Sequence, residues 1–413
     1  MSALVRTDID VGPPTAEPKA PAAVSEGSGL DLWLAGSVMG LVLFGLVMVV
    51  SASSHFGLKV YASPWGFGLR QVVGVVLGLV AGAAIWVLPW KTFERLPRPF
   101  FWASLAMLAA VQSPLGHAAK GAPRWVNLGV VNLQPSEFAK IALAMILARH
   151  LARNEGRAHD IMGVVVPGVA AYLGPMLVLV ALQSDLGTMA LLGGITLVAV
   201  FVAGLEWRWI GAAILAAVGG AALLIAYEPY RAARLMSFVD PHAAAEGGGY
   251  QIVQGWVAIA VGGVTGQGLG AGVAQQGFLP EAHTDMIMAV VGEELGIVGW
   301  SFAFFLHGVI LLRGARIAID CRHLFEMIIA SCITAVIAAQ VVINTAVIGG
   351  LVPPKGLVFP FVSYGASAMI FNLVEVAILL RIARENHRGR RAERAATDPG
   401  TNVGANAGGV AAT

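Results

Sequence analysis

The stretch Phe278 to Gly299, FLPEAHTDMIMAVVGEELGIVG, places acid–base groups immediately ahead of an apolar segment. Glu281, His283, Thr284 and Asp285 follow Pro280, and Asp285 is the last polar group before Met286-Ile287-Met288. An ionisable group at the edge of a membrane helix is costly, which makes it a functional candidate from the outset. On a helix starting near Thr284, at about 100° per residue, Asp285, Gly292, Gly296 and Gly299 fall within roughly 40° of one line. Such a face predicts close helix packing beneath a carboxylate held at the rim of a cavity. The same position also suits an acid that only complements the helix dipole.

Other clusters carry chemistry of their own. Arg124 to Gly129 leads into Gln134-Pro135-Ser136-Glu137-Phe138-Ala139-Lys140, where Pro135 suits a first helical turn and Glu137 faces Lys140 at i, i+3. The plainer role for Glu137 is an ion pair steadying the helix start, while Lys140 can aim its charge into a cavity. In Gln183-Ser184-Asp185-Leu186-Gly187-Thr188, Asp185 is either a helix cap or a contact to substrate or metal. Arg231 and Arg234, near Asp240, have the guanidinium fork that binds phosphate, or they pair with an acid of their own loop. VPPKGL (352–357) and FPFVSYGAS (359–367) present Lys355, Ser363 and Tyr364 where prolines bar regular helix. Gln340 and Asn344, four residues apart, suit bonding across helices.

These groups need a scaffold, and composition names its class. Of 413 residues, 57% are hydrophobic and 12% charged. That is half the roughly 25% charged residues of a soluble domain, so the chain reads as an all-α polytopic membrane protein. Apolar segments of about 20 residues are needed to span a bilayer. Ten candidates lie near 32–52, 70–90, 99–115, 136–152, 161–182, 186–205, 209–227, 285–312, 325–349 and 364–384, with one large loop, 228–284, between the seventh and eighth. Within that loop, GYQIVQGWVAIAVGGV reads as a re-entrant or interfacial helix.

With both termini inside, 18 of the 26 lysines and arginines fall on the cytoplasmic face and 8 outside, the bias the positive-inside rule demands. The polar clusters that are not simply basic then gather outside. The Arg-rich connections read as topology determinants and lipid-headgroup contacts. Residues 1–31 form a disordered, Pro- and Ala-rich cytoplasmic tail without a signal-peptide core, and 385–413 a basic, then Gly/Ala-rich one. Cys321 and Cys332 have no metal or disulfide spacing. No nucleotide or nucleic-acid motif is present: GQGLGAG at 266–272 lacks the preceding strand and the Lys-Ser/Thr of a phosphate loop.

Taken together, PEAHTD followed by EELG, RLMSFVDP, QPSEFAK, QSDLGT and PPKGL…PFVSYG resemble the SEDS family of shape, elongation, division and sporulation proteins. The resemblance covers roughly residues 32–384, and Pro-Lys-Gly-Leu at 354–357 is more similar to the cell-division branch than to the elongation branch. It implies a ten-span glycosyltransferase of the bacterial cytoplasmic membrane that polymerises lipid II into peptidoglycan on the outer face, at the division septum. It implies that Asp285 is the essential carboxylate, that Glu137 and Lys140 are the family's paired acid and base, and that Asp185 is its outward aspartate. Two positions depart from the family pattern: Ser184 stands for a proline, and Ala366 for the second glycine of SYGGS.

The implied reaction joins lipid-linked disaccharides with inversion, an α-linked diphosphate giving a β-1,4 bond. Asp285 would take the proton of the acceptor hydroxyl. Lys140, Arg231, Arg234 or Lys355 would meet the diphosphate, or a divalent ion, magnesium or manganese, would do so. Ser363 and Tyr364 are candidate substrate contacts; Glu137, Asp185, Glu281, His283 and Thr284 are supporting residues. No resident cofactor is evident. The implied partners are a class B penicillin-binding transpeptidase, other division proteins and membrane lipids. Alternative readings are a lipid II flippase, a non-catalytic division scaffold and an elongation-type enzyme.

Overall fold

A computed structural model describes residues 30–114, 116–119, 122–127, 129, 132–157, 159–227, 249–353 and 356–397. Arg231, Arg234, Asp240 and Lys355 lie outside the described residues, as do 1–29 and 398–413 of the two tails. The chain forms α1 (Leu32–Tyr61), α2 (Gly66–Val87), α3 (Trp90–Phe93) and α4 (Pro97–Ala110), then α5 (Pro135–Arg153), α6 (Val166–Leu182), α7 (Leu186–Val202) and α8 (Trp207–Tyr227). It continues through α9 (Tyr250–Gly262), α10 (Ile287–Ile319), α11 (Leu324–Ile348) and α12 (Ala366–Thr397).

Each of the ten apolar segments carries a helix, and among the described residues six helical stretches are long and apolar enough to cross a membrane: 32–61, 66–87, 161–182, 287–319, 324–348 and 366–391. The all-α expectation needs correction. Between α4 and α5 lies an antiparallel sheet of β1 (Gly116–Ala119), β2 (Ala122–Asn127) and β3 (Asn132–Leu133), with Gly116 opposite Val126 and Val126 opposite Leu133. That polar run lacks a 3.6-residue apolar period, and Trp125-Val126 favours strand. The segment GYQIVQGWVAIAVGGV forms α9, whose 13 residues fall short of a bilayer.

The bundle is built around α5, which Pro135 opens at its first turn and of which 14 of 19 residues are buried. α4, α6, α7, α11 and α12 surround it. Polar contacts sort to two ends. At one end Asp31, which caps α1 through Leu34 N (3.1 Å), pairs with Arg313 of α10 at 2.7 Å. Arg381 donates to the Ile85 carbonyl (3.1 Å) at the foot of α2, and Arg390 meets Asp320 (2.7 Å). At the other end, His283 stacks on Phe56 near the close of α1.

The glycine face drawn beneath Asp285 is also corrected. α10 begins at Ile287, not near Thr284, and it breaks at Gly296, whose φ of 62° and ψ of −153° are open only to glycine. The loop after α9 crosses the break. Gln267 N donates to the Glu293 carbonyl (2.9 Å) and Gly268 N to that of Glu294 (3.0 Å), while Ile297 N and Val298 N donate to the carbonyls of Gly263 (3.1 Å) and Val264 (3.3 Å). Carbonyls ending one half-helix and amides starting the next are thus satisfied within the protein, the condition for irregular backbone in an apolar bundle.

Gly296→Ala puts a Cβ into the Val264 carbonyl and strains φ. Strain of this kind costs about 1–3 kcal/mol. The variant is expected to melt at lower temperature and accumulate less in membranes, whereas Gly308→Ala, where a Cβ meets nothing within 4 Å, matches the parent. Equal melting of both variants in detergent would reject the break as a structural requirement.

Candidate active site

Asp285 stands in a tight turn, residues 281–286, between an irregular loop and α10. Inside the turn, Thr284 N and Met286 N both donate to the Glu281 carbonyl at 3.1 Å, with Glu281 at a left-handed φ of 56°. The Thr284 hydroxyl donates to the Glu281 carboxylate at 2.6 Å. Glu281 and Thr284 thus bond to each other within the turn. Asp285 is half-buried, and its Oδ2 lies 3.6 Å from where a Cβ on Gly356 would sit.

Two other segments fasten the turn. From α11, Asn344 Nδ2 donates to the Asp285 carbonyl (3.0 Å) and the Leu357 carbonyl (2.8 Å), tying the acid to the PPKGL stretch. From the loop before α12, the Ser363 hydroxyl donates to the Thr284 carbonyl (2.7 Å) and accepts from Phe359 N (2.8 Å), and Tyr364 N donates to the His283 carbonyl (2.9 Å). Ser363 is buried, so its expected role as a substrate contact is corrected: its hydroxyl is committed to backbone groups. The loop it fastens enters deeply. A Cβ at Gly45, midway along α1, would collide with the Phe361 carbonyl, and His307 Nε2 sits 3.3 Å from that of Pro360.

Asn344 thus bonds from its helix to a turn and a loop rather than to another helix; Gln340, one turn earlier, is buried without a hydrogen-bond partner. His283 packs on Tyr364 and on two rings, Phe56 and Phe67, that carried no sign of this in the sequence. Its ring centroid is 4.7 Å from that of Phe67 and 5.6 Å from those of Phe56 and Tyr364. Phe67 also meets Tyr364 edge-on at 5.0 Å, and Arg70 lies over Tyr61 at 4.4 Å. Half-exposed Phe56 and partly buried Tyr364 leave an aromatic wall near the acid. Aromatics spread over α1, α2 and a distant loop have no local signal that joins them.

Asp185 resolves as a cap. Its Oδ1 accepts from Thr188 N (3.0 Å) and its Oδ2 from the Thr188 hydroxyl (2.9 Å). Gly187 of that turn faces Leu357, which brings the start of α7 alongside the same stretch that Asp285 approaches. Arg124 of β2 fixes the turn from outside by donating to the carbonyls of Gln183 (3.1 Å) and Ser184 (2.9 Å), and Ser184 has a φ of 52°. Among the described residues, no group of three or more His, Cys, Asp or Glu converges to hold a metal ion.

Lys140 does not line an open cavity. It is 2% exposed, pairs with Glu137 at 2.8 Å, and feels a second carboxylate, Glu375 of α12. Its expected diphosphate contact is therefore corrected to an enclosed pairing, and the ion-pair reading of Glu137 holds. Glu293 and Glu294, unassigned from sequence, are buried too. Glu293 accepts from the amides of Val273 (2.8 Å) and Ala274 (3.1 Å), and Glu294 from the Ser51 hydroxyl at 2.7 Å. The EELG motif thereby ties α10 to α1 and to the loop after α9.

Residues 32–388 match the model of the FtsW/RodA/SpoVE cell cycle proteins. A probable peptidoglycan glycosyltransferase FtsW of Halothiobacillus neapolitanus is 37% identical over 370 residues, covering 87% of this chain and 88% of that protein. One of Legionella pneumophila is 35% identical over 362 residues, 86% of this chain and 91% of that protein. Among solved structures, a chain from a study of how a peptidoglycan synthase complex coordinates polymerization and crosslinking superposes with a TM-score of 0.73 at 29% identity, over 87% of this chain and 99% of its own length. The rod shape determining protein RodA of Thermus thermophilus does so at 0.64 and 29%, over 87% and 98%.

The fastening of the turn is open to test. Ser363→Ala strands the Thr284 carbonyl and Phe359 N–H, and Asn344→Leu strands the carbonyls of Asp285 and Leu357. Each buried group left unpaired costs about 1–3 kcal/mol. Amide exchange across 281–290 is expected to accelerate in both variants, and the double variant to fall short of additivity. Parental exchange rates in both would mean that the turn holds itself.

Proposed function

Because this chain belongs to the FtsW/RodA/SpoVE family of cell cycle proteins, we propose that it is a peptidoglycan glycosyltransferase of the cell-division branch, an inverting lipid II polymerase whose general base is Asp285. The observation that carries the assignment is the double fastening of the 281–286 turn by Asn344 and Ser363, which fixes a half-buried carboxylate without occupying it through those two side chains. A base must be held where its proton is taken, since small misplacements lose large factors in rate.

In the reaction, an Asp285 oxygen accepts the proton of the acceptor's 4-hydroxyl as that oxygen attacks the donor's anomeric carbon. The attack comes from the face opposite the diphosphate. The anomeric C–O bond breaks, and undecaprenyl diphosphate leaves with the electron pair. Arg231, Arg234 and Lys355 are the candidates to meet its charge, and the aromatic wall of Phe56 and Tyr364 offers a face to a sugar ring. A magnesium or manganese ion carried in on the diphosphate would share that task; activity that survives chelation assigns it to the basic side chains. The enclosed Glu137–Lys140 pair supports the scaffold. The relation to a peptidoglycan synthase complex supports a penicillin-binding transpeptidase as partner.

All ten helices on the predicted segments are read as spans, with the 18-to-8 charge split placing both termini inside and Asp285 outside. Single cysteines near positions 245 and 395, probed with an impermeant reagent on intact cells, test this. Labelling at 245 alone is expected; labelling at 395 alone would invert the topology.

Asp285→Asn keeps size and most hydrogen bonding but cannot accept the proton near neutral pH. General-base catalysis contributes about 10²–10⁴-fold, so purified variant and lipid II should give glycan polymer at a rate reduced by at least about 100-fold, with melting unchanged. Asp285→Glu should recover little, because one added methylene displaces the oxygen by about 1 Å. Near-parental polymer from well-folded Asp285→Asn protein would remove Asp285 as the base, whereas no polymer from the purified parent would favour the scaffold or flippase reading.

A further inference from the structure

At the end of the bundle opposite Asp285, α4, α5 and α6 border a half-open cavity of about 220 Å³. Arg98 of α4 and Arg149, His150 and Arg153 of α5 line it, with Tyr172 of α6 as its far wall. Arg149 donates to the Glu94 carbonyl at 2.6 Å, yet its Nε is buried with no hydrogen-bond partner. Arg98 and Arg153 both press like charge on Arg149.

No Asp or Glu is among the lining residues. The carboxylate that does act on Arg149 is that of Glu94, which accepts from Trp90 Nε1 at 2.9 Å, and nearby Asp160 is taken by Arg157 at 3.0 Å. The His150 ring is packed on Gly168 with Nε2 3.1 Å from the Val164 carbonyl, so the wall is rigid where it meets α6.

Three converging guanidiniums, one with an unpaired buried N–H, make an incomplete electrostatic assembly. What completes it is a compact anion that accepts several hydrogen bonds, and a phosphate does so through the fork geometry of arginine. The surroundings favour a phosphate on a lipid. Trp102, one turn along α4 from Arg98, is 67% exposed, the placement of a Trp at headgroup depth. Val166, at the start of α6, is also exposed, which leaves apolar surface beside the cavity for acyl chains. Basic pockets between membrane helices on the Arg-rich side are suited to such headgroups.

We propose that the cavity between α4, α5 and α6, lined by Arg98, Arg149 and Arg153, is a binding site for the phosphate headgroup of an anionic phospholipid. It is a defined site, distinct from the diffuse attraction of basic loops to a charged leaflet. Its occupant is a lipid of the leaflet facing away from Asp285.

The full-length protein, exchanged into micelles holding equal phosphatidylglycerol and phosphatidylcholine, tests this by native mass spectrometry of retained lipid. The parent is expected to retain phosphatidylglycerol preferentially. Arg98→Gln/Arg153→Gln removes two exposed cations and leaves the Arg149 anchor to Glu94 in place. It should cut that preference by about tenfold or more. Arg95→Gln/Arg157→Gln, with the same charge change elsewhere on this face, should keep it. Equal loss in both double variants would reduce the effect to general charge, and no loss in either would empty the site of a role; each overturns the assignment. Inorganic phosphate added at matched concentration is expected not to displace the lipid. Displacement through the same arginines would make the ligand a soluble phosphate and also overturn it.

Discussion

Backbone that leaves helical geometry inside an apolar bundle must find its hydrogen-bond partners in the protein, because no water reaches it. Three irregular stretches face that demand here: the 281–286 turn, the break at Gly296 and the 356–365 loop. The turn and the 356–365 loop meet it by bonding to each other and to Asn344 of α11, and the break at Gly296 by bonding to the loop after α9. Asn344 bridges the first and third through the carbonyls of Asp285 and Leu357, and Ser363 does the same through Thr284 and Phe359. The placement of Asp285 is consequently a property of three segments far apart in sequence rather than of the helix it precedes.

Buried charge follows similar logic. Glu293 and Glu294 close the first half of α10, an end where the helix dipole disfavours anions. Their neighbours offset this with the amides of Val273 and Ala274 and the hydroxyl of Ser51. The Glu137–Lys140 pair, with Glu375 facing it, is a weak argument for stability, since buried ion pairs often do no better than apolar residues of the same volume. Losing one partner is the severe event, about 3–5 kcal/mol. Such clusters fix which helices meet and in what register.

Much of this was legible from the chain because it depends on local signals. Runs of apolar residues located every long helix, Pro135 marked the start of α5, and the polar-to-apolar switch at Asp285 marked the candidate site. The sheet between α4 and α5 was not, because a polar, glycine-containing stretch between apolar runs resembles any loop. The break at Gly296 was hidden for another reason. Its φ is set by the loop after α9, a tertiary contact, while the local pattern of Gly292, Gly296 and Gly299 fits an unbroken helix equally well. The roles of Ser363 and Lys140 escaped on burial: spacing shows that a polar side chain is present, not whether protein already surrounds it.

Ser184 carries a consequence for how this chain can change. The family pattern has proline there, but proline fixes φ near −65° and has no N–H. Here φ is 52°, and the Ser184 N–H donates to the Ala181 carbonyl at 2.9 Å. The carbonyls exposed by this turn are the ones Arg124 holds. Serine at 184 and arginine at 124 therefore act as a coupled pair: restoring proline alone would rebuild the turn and take away the carbonyls that anchor β2.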